Sequence, residues 1–101
     1  MIFKEIKANF YANIENNEYN IFIERIKSGA TPYGDGSAHT LKIYNLTTKN
    51  IDSRCFDTRY QYISLNKDKW IKFWRDYLKE TYNFKNIEII TFGYKEVVYN
   101  E

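Results

Sequence analysis

One stretch of this chain carries the period of an α-helix, and the stretches around it are patterned like strands. From Lys67 to Tyr82 the residues Trp70, Phe73, Trp74, Tyr77 and Leu78 fall at i, i+3, i+4, i+7 and i+8. Lys72, Arg75, Asp76, Lys79 and Glu80 fall opposite them, the arrangement of a helix with one buried face. Asn66 suits the N-cap, Leu65 before it can pack against Trp70, and Asn83 can close the C-terminal end. Ile71 widens the apolar arc on one side. An aromatic stripe of this size must be laid on another element, and the rest of the chain offers strands.

Ile6, Ala8, Phe10, Ala12 and Ile14 alternate strictly with Lys7, Asn9, Tyr11 and Asn13, which predicts a half-buried strand. Glu15 to Glu18 is polar and predicts a turn. Tyr19 to Lys27 fits two patterns. Tyr19, Ile21 and Ile23 alternate as in a hairpin, whereas Tyr19, Phe22, Ile23 and Ile26 match one helical face between Asn17 and Gly29. The β-rich composition favours the hairpin. Residues 28 to 37 hold three of the four glycines and the only proline and predict a long loop. His39, Leu41 and Ile43 alternate in the next strand, and Thr47 to Asn50 is a turn. Ile51 to Ser64 predicts another strand, with a bulge or break near Phe56 and Asp57 where the apolar parity changes. After the helix, Ile87, Ile89, Ile90 and Phe92 place apolar residues on both faces, as in a strand inside a sheet. Gly93 predicts a bend before Glu96 to Tyr99, which either resume that strand or form a short partner. The expected fold is α+β: a mainly antiparallel sheet of four to six strands with one helix, about 67–82, packed on one face. With 101 residues, one domain over 1–101 is expected.

Composition narrows the function classes. The 15 Lys and Arg against 13 Asp and Glu give a formal +2, neither acidic enough to imitate DNA nor basic like a histone. No apolar run reaches the roughly 18 residues of a membrane span, and Met1 to Ile6 does not have the pattern of a signal peptide. A single cysteine, Cys55, rules out a disulfide within the chain and fits a cytoplasmic setting. Ile, Lys, Asn, Tyr and Phe make up 52 of the 101 residues. All have A/T-rich codons, which suggests a low-GC bacterium or a phage or plasmid living in one. Ten tyrosines are more than a small core can bury with every hydroxyl paired, so several belong at the surface.

No motif names a reaction. Gly34 to Ser37 lacks the following lysine and helix of a phosphate-binding loop. One histidine and one cysteine cannot supply a zinc site, and nothing in the spacing brings His39 and Cys55 together as a catalytic pair. Phe92-Gly93-Tyr94-Lys95 is a fragment of an RNA-recognition signature without its remainder. Acidic residues are interspersed with the lysines throughout, so no uncompensated basic stripe can be drawn. The most distinctive segment runs from Asp52 to Tyr62. There Arg54, Asp57, Arg59 and Tyr60 have the composition of a protein-contact hot spot, or of local ion pairs on a solvated strand.

The expected function is therefore a non-enzymatic, cytoplasmic protein-binding module with no cofactor and no metal. Its expected contact residues are Arg54, Asp57, Arg59, Tyr60 and, on the 28–37 loop, Tyr33. The expected partner is a host or phage protein, with the chain acting as an inhibitor of a host defence enzyme of the anti-CRISPR kind. The alternative is a single-domain nucleic-acid-binding protein, and the third reading is a small ribonuclease using His39 with Arg54 or Arg59.

Overall fold

The computed structural model describes residues 2–27, 37–56 and 63–98. They form β1 (Ile2–Ile14), β2 (Asn17–Lys27), β3 (Ser37–Asn45), β4 (Ile51–Phe56), α1 (Lys67–Tyr82) and β5 (Lys85–Val98). The strands make one antiparallel sheet in the order β4-β3-β2-β1-β5. The helix packs on one side of it, giving the α+β fold expected from the sequence.

Register explains why the strand patterns read as they do. Phe10 pairs with Ile21, and Ile21 with Ile43; Ala8 pairs with Ile23, and Ile23 with Leu41. Residues opposite one another in an antiparallel ladder share a face, so the even positions of β1 and the odd positions of β2 and β3 form one apolar surface. Ile6, Ala8, Phe10, Ala12, Ile21, Ile23, Leu41 and Ile43 are buried there beneath Trp70, Trp74 and Leu78 of the helix. The ambiguous stretch Tyr19 to Lys27 is thus the second arm of a hairpin. Its turn is tighter than the sequence suggests, because Ile14 already pairs with Asn17 across Glu15 and Asn16.

The helix has the predicted bounds. The Asn66 side chain accepts a hydrogen bond from the Lys69 amide at 3.2 Å, and Asn83 closes the last turn with φ 62° and ψ 28°. Its backbone N–H is directed at the carbonyls of Leu78 and Lys79, which would otherwise lack donors. Among the described residues no helix is long and apolar enough to cross a membrane.

Two expectations need correction. β4 ends at Phe56, where the sequence predicts a bulge or break near Phe56 and Asp57, but Ile63 to Leu65 are not strand, so strand does not extend to Ser64; Asp57 lies outside the described residues. β5 is not an interior strand but an edge of the sheet. Its apolar residues fall in both phases of the sequence because the register slips: Phe10 faces Ile89, Asn9 faces Thr91, and Ile90 between them has no partner on β1 and is 55% exposed. A bulge of this kind moves all later side chains to the other parity. Of the two courses open after Gly93, the structure takes the first: the same strand continues, and β5 runs unbroken to Val98. A Cβ placed on Gly93 would meet only the Lys7 carbonyl at 3.5 Å, an ordinary contact. Most of the predicted loop, residues 28–36, lies outside the described residues, and Ser37 already belongs to β3.

Candidate protein-binding surface

Among the described residues one helix lies on the sheet, and it covers one side. On the other side the register brings together residues from four strands. Tyr11 pairs with Asn20, Asn20 with Tyr44, and Tyr44 with Ile51; beside this row, Asn9 pairs with Phe22, and Phe22 with Lys42. Phe22 and Tyr44 meet edge to face, with ring centroids 5.5 Å apart. The Tyr11 hydroxyl donates to the Glu18 carboxylate at 2.8 Å, and this bond to an anion is the leading reason its own ionisation is pushed upward. Ile51 is 63% exposed at the end of the row. Lys7 and Glu24 face each other along the same surface, so its charge is mixed. An apolar strip with a rim of both signs is the make-up of a protein contact.

These residues were missed as a site in the sequence because each occupies the polar phase of its own alternation. The available signal was that Tyr11, Phe22 and Tyr44 are aromatics placed where Lys and Asn otherwise stand. Only the register shows that they are neighbours.

Of the contact residues expected from the sequence, Arg54 alone is described. It lies on the helix side of β4, since it pairs with the core residue Leu41. Its Nε donates to Asp52 at 3.0 Å, with both side chains more than half exposed. This is the local ion pair weighed against a contact role, and at that exposure it contributes little to stability. The Asp52 bond is also the main reason the guanidinium ionisation is raised. The Arg54 guanidinium carbon stands 5.7 Å from the ring centre of Tyr82. Together with Tyr19, Asn50 and Phe84 these side chains line a cleft of about 290 Å³ between β4 and the helix end. Asp57, Arg59, Tyr60 and Tyr33 lie outside the described residues, and the structure neither joins them to Arg54 nor separates them from it.

His39, the third-reading catalyst, is 2% exposed. Trp70 donates its indole N–H to His39 Nε2 at 3.1 Å, and the Trp74 ring centre is 5.1 Å from the imidazole. An accepting Nε2 belongs to the neutral ring. Burial, with the charge of Arg25 nearby, lowers the pKa to about 4. A buried imidazole bonded to a core indole is a packing element, and this weighs against a nuclease role. Cys55 pairs with Thr40 in the register. Among the described residues no group of three His, Cys, Asp or Glu is arranged to hold a metal ion.

Comparison of the chain with known proteins finds no matching family model, no matching curated protein and no matching solved structure.

Proposed function

We propose that this protein is a non-enzymatic binding module that docks another folded protein on the unroofed face of its sheet. The observation carrying this reading is the row Tyr11, Tyr44 and Ile51 with Phe22 beside it, left uncovered by the helix. Large amphipathic rings held on strands need little ordering on contact and are typical anchors of protein interfaces. Glu18 and Glu24 stand among these aromatics, which favours a protein over a polyphosphate backbone, since a nucleic-acid platform requires an excess of cations. Arg54 and its cleft lie on the helix side of β4, so only a partner that reaches round this short edge strand would contact them as well. The abundance of residues with A/T-rich codons narrows the proposal further, to a phage- or mobile-element-encoded inhibitor of a host defence enzyme working in the cytoplasm.

Affinity capture from a low-GC bacterial lysate tests the reading, using the wild type and Tyr44→Ala in parallel. Wild type should retain a discrete protein that survives nuclease treatment. Tyr44→Ala should retain at least tenfold less, a loss of about 1.4 kcal/mol, while melting within about 1 kcal/mol of wild type. Equal capture by the folded variant sinks the assignment of this face. Capture abolished by nuclease favours the nucleic-acid alternative.

A further inference from the structure

The two edges of the sheet are unlike. β4 has six residues, whereas β5 has fourteen. Among the described residues no strand pairs with the outer side of β5. Ile90, Tyr94 and Val98 along it are 55%, 45% and 69% exposed. A long edge with apolar side chains and unpaired backbone groups is a template for another strand.

The sequence of β5 indicates which strand. Positions along β5 can be counted by their partners on β1, a count that skips the bulged Ile90. Two copies of β5 laid antiparallel about Phe92 then place Phe92 opposite Phe92 and Ile89 opposite Tyr94. The same register places Glu88 opposite Lys95. A two-fold axis produces the Ile89–Tyr94 and Glu88–Lys95 pairs twice. Each pair shares a face: Phe92, Ile89 and Tyr94 lie on the helix side, since their β1 partners are Ala8, Phe10 and Ile6, whereas Glu88 and Lys95 lie on the open side, opposite Tyr11 and Glu5. Neighbouring registers are poorer. Centring on Gly93 sets Ile89 against Glu96 and Glu88 against Val97. Centring on Thr91 sets Lys95 against Lys85 and leaves Glu88 opposite Gly93. Like charges opposed across a ladder are destabilising, and opposite charges contribute.

We propose that the protein pairs with a second copy of itself along β5, antiparallel about Phe92. The result is a continuous ten-stranded sheet with both helices on one side and two open faces joined on the other. This doubles the surface described above without covering it.

Sedimentation and a charge exchange test the proposal. Wild type should show a concentration-dependent dimer. Glu88→Lys and Lys95→Glu, each alone, put like charges together at both ends of the joint and should weaken self-association roughly tenfold. Mixing the two variants should restore association as a heterodimer, because every Lys then meets a Glu; no unfolded variant could give that result. In a Cys55→Ser background, Glu88→Cys with Lys95→Cys should form a disulfide between chains on oxidation. Within one chain those positions are about 23 Å apart along the strand, too far to bridge. A chain that stays monomeric, a dimer indifferent to both charge changes, or a failure to cross-link would each overturn the proposal.

Discussion

Held between Trp70 and Trp74, His39 must remain neutral for the fold to keep its lowest free energy. An imidazole in the unfolded chain takes a proton near pH 6.5, whereas in the folded chain it does so only near pH 4. Below about pH 6.5 the unfolded state therefore binds a proton that the folded state refuses, so stability falls as the pH drops from there to about 4, and the contribution is intact above this window. The full effect is roughly 3 kcal/mol. His39→Gln should remove this dependence, since its amide oxygen can accept from Trp70 and does not titrate. Urea denaturation of both proteins at pH 7 and pH 4 checks it, with wild type expected to lose roughly 3 kcal/mol more than the variant. Parallel losses would assign acid sensitivity to other groups. The inward phase of His39 was readable from its alternation with Leu41 and Ile43. Its indole partner was not, because 31 residues separate them and no local pattern records that contact.

At the scale of elements, the helix was legible to the residue because its limits are set locally. A polar side chain caps one end, an asparagine able to adopt positive φ closes the other, and a stripe of five apolar residues lies between. Asn66→Ala should leave the Lys69 amide without its acceptor and cost about 1 kcal/mol. For a domain of this size that corresponds to a fall in Tm of about 4–8 °C, measurable by circular dichroism. An unchanged Tm would mean that water or Ser64 satisfies the helix start equally well. The strands were legible wherever alternation was strict, as in β1 and β3. The place of β5 in the sheet was not. A bulge and a buried strand leave the same mark in a sequence, apolar residues in both phases, and only pairing with β1 separates them. The unroofed face was hidden for a related reason: its rings are scattered over three strands and become one surface only through register.

The whole molecule is elongated, with extents of 48 × 25 × 22 Å and a radius of gyration of 14.4 Å, against about 13 Å for a compact chain of this length. The cause is a mismatch of lengths. Sixteen helical residues span about 24 Å, whereas the fourteen of β5 span about 46 Å, so β1 and β5 run on as a ribbon beyond their roof. The formal charge is only +2, with acidic residues interspersed among the lysines along the sequence. Binding to generic duplex DNA at physiological salt should accordingly be no tighter than about 10⁻⁵ M. A gel shift at nanomolar protein with a steep salt dependence would contradict this. The neighbourhood of β1 and β5 also bears on synthesis at the ribosome. β1 finds its first partner, β2, after a two-residue turn, but its second is made only after some seventy further residues have been added. During that interval one side of β1 is bare, and the apolar stripe of the helix has an incomplete sheet to rest on. A nascent chain halted before Lys85 is left with a hairpin edge able to recruit a stranger, so the order of translation makes β5 both the closing step of folding and a guard against premature association.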